Sequence, residues 1–300
     1  MLQVNKKSFG KVHPGLLVDK LGLHAIICGR LNDLSIMDPK KDKWEGDRAF
    51  VFKTACRAYN FADHFQSYLD FYKEWVARMK PFVKEGRCRL LVAKLKSRLV
   101  LGLSCAAAME TGISLHYTYG VPVIPGSSVK GACRAAAKAA GCNNDLFLDI
   151  YGSLEKKKES GSKNSFGAGK VTFFDALPCN WKGLELDVMT PHHTKYYAGE
   201  TGYKNAPDVE NPVPVLFLAV PEETRFLFTF VSHDGVSPLK QVEQDWENAC
   251  EEGFGGKTSS GYGWFKVCKE KGEKAPDEFK KEQTNRPESI GLPYGFQRNR

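Results

Sequence analysis

The chain has 300 residues, 42% of them apolar and 26% charged, with 43 Lys and Arg against 35 Asp and Glu for a formal charge of +8. This is ordinary globular composition and excludes a wholly disordered, collagen-like or fibrous chain. Of two charge-free runs, Leu99 to Met109 is far shorter than the roughly 20 residues a membrane-spanning helix needs, and Thr111 to Val129 is broken by prolines and glycines such as Pro122, Pro125 and Gly126, so no membrane partner is expected.

The opening MLQVNKKSFGKVHPG holds no apolar block of the kind a secretory signal requires, which predicts a soluble, cytoplasmic protein. Nine cysteines are present and no two are spaced C-x-x-C, so neither a disulfide framework nor a metal site is expected, and no cofactor is implied. Residues 1–86 read as a mainly helical elaboration. Within 58–80, Phe61, Phe65, Tyr68, Leu69, Tyr72, Val76 and Met79 recur mostly at spacings of three and four, one apolar stripe on a helix that Pro81 helps to end. Residues 87–104 mix β-formers with basic residues and predict one long strand or a bent pair. Lys94, Lys96 and Arg98 alternate with apolar or small residues and share one sheet face, suited to a phosphate chain or simply to solvent.

At Pro125-Gly126-Ser127-Ser128 a turn and a serine N-cap open an alanine-rich helix. Val129, Cys133, Ala136, Ala137 and Ala140 form its buried side, while Lys130, Arg134 and Lys138 make a basic stripe at i, i+4 and i+8. Free N–H groups and lysines at one helix end suit an anion; a capped amphipathic helix that binds nothing fits the same pattern. Residues 153–170 are Gly-, Ser- and Lys-rich and read as a flexible basic loop. A short strand at 169–176 ends on Asp175, read as a turn former. Pro191-His192-His193-Thr194-Lys195-Tyr196-Tyr197 is a dense cluster, taken as extended, able to support packing, to grip RNA or to supply acid and base for metal-free cleavage.

Segments 214–220 and 224–231 predict two strands joined by Pro-Glu-Glu, followed by an acidic helix with Leu239, Val242, Trp246, Ala249 and Cys250 on its apolar side and Gly253 at its end. Gly253-Phe-Gly-Gly-Lys-Thr-Ser-Ser-Gly-Tyr-Gly-Trp-Phe265 holds a glycine-rich loop. It mimics the end of a P-loop, but Glu251 stands where that motif needs glycine, and a helix rather than a strand precedes it, so a nucleotide-triphosphate site is excluded. Its backbone and Lys257, Ser259, Ser260 and Tyr262 can approach a polyanion, or the loop is a plain connection. With 169–176 set aside as an insertion, the order from 87 onward is strand, helix, strand, strand, helix, strand. This α+β order is ferredoxin-like, as in RNA-recognition motifs. Charge is uneven along it: residues 87–152 hold 8 basic and 3 acidic side chains, 171–265 hold 6 and 14, which suggests one face for a polyanion and another for a partner protein.

The pairing of Ile124-Pro-Gly-Ser-Ser-Val-Lys-Gly-Ala-Cys-Arg134 with the loop at 253–263 resembles the RAMP superfamily of CRISPR proteins. His13-Pro-Gly-Leu-Leu, Val171-Thr-Phe-Phe-Asp-Ala-Leu-Pro178 and Pro191–Tyr197 are similar to the sixth-subunit family of type III-B Cmr effectors. The resemblance covers most of 10–265, with the lysine-rich loop and the tail outside it, and the chain is read as a RAMP core over 87–268 with the elaboration at 1–86 before it and a basic tail at 269–300 after it. It implies a non-catalytic subunit that caps the backbone filament near the 3′ end of the CRISPR RNA. Its partners would be CRISPR RNA and target RNA, the repeating backbone RAMP subunit and other Cmr subunits. By position, Ser127, Ser128, Lys130 and Arg134 would hold RNA backbone, and Lys257, Ser259, Ser260 and Tyr262 would line the same groove. His192, His193, Lys195 and Tyr196 would face the groove or a subunit interface. Gly256 departs from the family, where many relatives carry a bulkier residue. The competing expectations are a metal-independent RAMP endoribonuclease that processes repeat RNA, drawing its acid–base pair from His192/His193 and Tyr196/Tyr197, and a scaffold whose basic loops only steer assembly.

Overall fold

The computed structural model describes residues 65–104, 111–152, 167–181, 183–197, 199, 205 and 214–269. The expectations for 1–64, for the loop at 153–166 and for the tail at 270–300 lie outside the described residues.

Helix α1 (Phe65–Lys84) buries Tyr68, Leu69, Tyr72, Val76 and Met79, the stripe its spacing predicts. Pro81 does not end it; the helix runs on to Lys84, with Pro81 inside its last turn. Strand β1 (Cys88–Leu95) follows, then helices α2 (Gly126–Ala139) and α3 (Asn144–Tyr151). Strands β2 (Val171–Phe173), β3 (Leu177–Asn180) and β4 (Glu185–Met189) lead to the single turn α4 (Thr194–Tyr197). Strands β5 (Val215–Ala219) and β6 (Arg225–Ser232), helix α5 (Ser237–Glu252), a 3-10 turn (Thr258–Ser260) and β7 (Phe265–Val267) complete the described chain.

The main sheet is antiparallel in the order β7-β1-β6, with β2 and β3 sharing the outer edge of β6: Phe173 pairs with Phe230, and Leu177 with Leu227. This corrects the expected strand roles. The segment set aside as an insertion, 169–176, supplies β2, and β3 just after it continues along the same edge of β6. Strands β5 and β6 do not pair with each other. Instead β5 pairs with β4 in a separate two-stranded sheet, with Glu185 opposite Ala219 and Met189 opposite Val215. The 87–104 segment takes the bent form: after Leu95 it leaves the strand and returns as bridges, Leu99 to Val220 and Val100 to Gly256.

Adjacent strand residues point to opposite faces, so contacts from Phe228 and Thr229 show what covers each. Phe228 meets Trp246 of α5 at 5.3 Å between ring centroids, whereas Thr229 Oγ1 accepts a hydrogen bond from Trp75 Nε1 of α1 at 3.3 Å. Both faces are therefore covered, by α5 on one side and α1 on the other. Tyr68 and Tyr72 tie α1 down further, donating to Pro178 O at 2.7 Å and Cys179 Sγ at 3.4 Å. The apolar side of α2, Val129, Cys133, Ala136 and Ala137, is buried as expected, but Ala140 is exposed because it stands at the C-cap. The stripe of α5 is buried throughout, together with Asp245, which its acidic appearance gave no reason to place inside.

Candidate nucleic-acid interface

The start of α2 is built around a carboxylate. Pro125 is the N-cap and no serine caps the helix; Ser127 and Ser128 are exposed. The first free N–H, that of Gly126, donates instead to Asp175 Oδ1 at 2.7 Å. Asp175 thus satisfies an orphan donor and complements the positive end of the helix dipole, which is more than the turn-forming role expected of it. Part of the anion-binding capacity expected of this terminus is already spent. A side chain at 126 is impossible without movement, since a Cβ would stand 2.2 Å from Phe173 O.

Further along α2, Lys130 and Lys138 make no ion pair or side-chain hydrogen bond among the described residues, and the Arg134 guanidinium lies 5.5 Å from the Phe147 ring centroid. The expected basic sheet face fares differently. Lys94 pairs with Glu223 at 2.6 Å, Arg98 with Glu185 at 3.0 Å and Asp187 at 2.8 Å, and Arg89 with Glu243 at 3.5 Å. These cations meet acids of the 171–265 sector inside the fold. Lys94 also lies on the side covered by α1, being aligned with Arg225 two residues from Leu227 and four from Thr229. The basic face is thus neutralised only in part: Lys96 of the expected set and Lys266 of β7, aligned with Lys94, are exposed and make no ion pair among the described residues.

The glycine-rich loop folds onto the 96–100 segment. Gly256 N donates to Val100 O at 2.8 Å, Gly263 N to Arg98 O at 2.7 Å, and Lys96 N to Trp264 O at 2.8 Å. At Gly263 φ is +74° and a Cβ would fall 2.0 Å from Phe254 O; at Gly255 φ is +84° and a Cβ would fall 2.5 Å from Val100 O. These two glycines are required by close backbone approach. Gly256 is not, because a Cβ there would only touch Val100 at 3.7 Å, which fits the bulkier residue expected in relatives.

Within the loop, Lys257 carries φ +59° and no ion pair among the described residues, and Ser259 and Ser260 are exposed. Tyr262 is occupied. Its hydroxyl donates to Asp187 Oδ2 at 2.9 Å and its ring lies edge-on to Phe217 at 6.0 Å. Burial, and then Asp187, push its phenol up to about 12, with Arg98 pulling the other way. Arg98 and Asp187 thus hold the loop against the β4–β5 sheet, a pair that no local motif marked.

The 191–197 cluster is not extended as expected: Thr194–Tyr197 is one helical turn. His192 is exposed, His193 is half-buried, and Tyr196 and Tyr197 are exposed, with ring centroids 5.5 Å apart. The Lys195 side chain lies outside the described residues. The three groups are related through shared elements. Helix α2 packs against α5, the loop continues from the end of α5, and β4, which anchors Tyr262, leads into the histidines. No hydrogen bond or ion pair joins the four α2 residues to the four loop residues among the described residues. One exposed aromatic at the end of the loop, Trp264, is given no role by the sequence reading, because nothing local distinguishes an exposed tryptophan from a core one.

An antiparallel sheet with α2 and α5 packed beside it, closed by a glycine-rich loop, defines the class of fold. The chain belongs to the RAMP superfamily, whose sequence model matches residues 106–266. It is 32% identical over 225 residues to the CRISPR system Cmr subunit Cmr6 of Pyrococcus furiosus, covering 57% of this chain and 65% of that one. It is 26% identical over 205 residues to Cmr6 of Saccharolobus solfataricus, covering 66% of this chain and 64% of that one. The chain thus spans just under two thirds of the length of these relatives. Its fold is similar to a chain of the type III-B Cmr-beta complex bound to cognate target RNA, with a TM-score of 0.57, 21% identity and 80% coverage of each chain. Among the described residues no helix is long and apolar enough to cross a membrane.

Proposed function

We propose that the chain is a non-catalytic RNA-holding subunit of a type III-B CRISPR (Cmr) effector, capping the backbone filament near the 3′ end of the CRISPR RNA. The likeness to two Cmr6 proteins supports the assembly. The strand order β7-β1-β6-β2/β3, with α2 and α5 packed together, supports a ferredoxin-like core. The observation that carries RNA holding is the placement of uncompensated charge. Arg89, Lys94 and Arg98 are neutralised internally, whereas Lys130 and Lys138 on α2 and Lys96 and Lys257 at the loop, with Lys240 and Lys266 on neighbouring elements, have no acidic partner among the described residues. Cations kept free of internal partners are those available to phosphate.

The test is binding of single-stranded repeat-derived RNA across a salt series. Each phosphate contact on a single strand contributes about 0.7 to the slope of log affinity against log salt. Lys130→Gln and Lys257→Gln are each expected to weaken binding and to flatten that slope by about this amount, while Lys94→Gln leaves it unchanged. An unchanged slope in all three variants would remove these lysines from the interface. Cleavage of repeat RNA by the purified chain, abolished by His192→Ala or His193→Ala, would instead assign the endoribonuclease.

A further inference from the structure

Trp264 is the most exposed tryptophan among the described residues, with 44% of its surface open. It is nevertheless held in place. Its Nε1 donates to Thr258 O at 3.3 Å, its backbone N–H to Ser97 Oγ at 3.1 Å, and its carbonyl accepts from Lys96 N at 2.8 Å. The Cδ1 edge lies against Gly253, where a Cβ would come within 2.9 Å of it. The one polar atom of the indole is spent within the loop, so the exposed remainder is apolar π surface on a fixed plane. Lys96 bonds to it through the backbone, and Lys257, Ser259 and Ser260 flank or follow the Thr258 carbonyl that holds it; neither lysine is in an ion pair among the described residues, and both serines are exposed. On the N-terminal side the nearest acids in the chain, Glu251 and Glu252, precede Gly253 at the end of α5. A fixed aromatic face on a loop that also carries Lys257, Ser259 and Ser260, bonded through its carbonyl to Lys96, fits a nucleobase with its phosphates.

We infer that Trp264 is a stacking platform for one base of a single-stranded RNA whose backbone crosses Lys257 and Lys96. The inference rests on the RNA-holding reading and adds a base contact to it. Phosphate neutralisation alone has no use for an immobilised aromatic plane. Stacking is tolerant of sequence, which is what a subunit holding variable guides requires.

The experiment measures the affinity of the full chain for a labelled oligouridylate, with tryptophan emission followed in parallel. Trp264→Leu is expected to weaken binding at least about fivefold, the low end for losing one base–aromatic stack, without changing the salt slope, since no charge is removed. Trp264→Phe is expected to retain most of the affinity, and the wild-type emission to be quenched on binding. If wild type binds and Trp264→Leu binds equally well, the platform is overturned while the RNA-holding reading stands. If Trp264→Phe is as weak as Trp264→Leu and both unfold at lower temperature, the indole only braces the loop and the inference fails. If wild type does not bind RNA at low salt, the RNA-holding reading falls and the platform with it.

Discussion

Asp187 takes two charge-assisted or polar bonds at once, from Arg98 Nη1 at 2.8 Å and from Tyr262 Oη at 2.9 Å, and its side chain is only 14% exposed. Replacing it by asparagine leaves Arg98 with Glu185 alone and weakens the tie between the loop and β4. Asp187→Asn is expected to cost about 1–3 kcal/mol and Tyr262→Phe about 1 kcal/mol, read from urea midpoints. Equal stability of both variants with wild type would show that the loop is held by its backbone bonds only. A second carboxylate, Asp245, is fully buried and accepts from Tyr151 Oη at 2.7 Å and Gln241 Nε2 at 2.8 Å. Burial holds its carboxyl above the usual carboxylate range, with the two hydrogen bonds opposing. Because the folded form binds this proton more readily than the unfolded chain, the contribution is fully favourable at acid pH below the unfolded value. It is lost as pH rises through the higher folded one. Asp245→Asn is therefore expected to gain stability relative to wild type on going from pH 4 to pH 7.5. Parallel behaviour of the two proteins across that range would contradict the assignment.

At the scale of elements, the glycine-rich loop is a packing motif before it is a binding one. Gly263→Ala places a methyl 2.0 Å from Phe254 O at a positive φ and is expected to destabilise by more than about 2 kcal/mol. Gly256→Ala, with its nearest contact at 3.7 Å, is expected to stay within about 0.5 kcal/mol of wild type. Thermal unfolding of the two variants distinguishes a loop of interchangeable flexible glycines from one with assigned positions. The same contrast governs what was legible in the sequence. The apolar stripes of α1, α2 and α5 could be read because helical periodicity is local, and Gly253 marked the end of α5 for the same reason. Strand partners are chosen by distant residues. A three-residue strand such as Val171–Phe173 carries too little pattern to be ranked above Val215–Ala219, so the wrong segment was placed beside β6. The Ser127/Ser128 cap failed because Asp175, 49 residues after Gly126 in the chain, reaches the same N–H. Arg98 was recognisable as basic, but its acidic partners come from β4, which no local rule connects to it.

Across the whole molecule, the opposed charge of 87–152 and 171–265 is in part an internal pairing, as Arg89 with Glu243, Lys94 with Glu223 and Arg98 with Asp187 show. Among the described cations left without an ion pair are Lys130 and Lys138 on α2, which packs on α5, and Lys257 on the glycine-rich loop that follows α5. With α1 covering one sheet face and α5 the other, RNA would be held by helix and loop rather than on the strands, unlike the open-sheet arrangement that the strand order first suggests. The central claim is that the chain holds guide RNA within a Cmr effector. Its most direct test is to express the tagged chain in its native host, purify it and sequence the small RNA that elutes. The account predicts guide RNAs sharing a repeat-derived tag, recovered with several protein partners. A chain that elutes alone and free of RNA, yet trims repeat RNA in vitro, would contradict it.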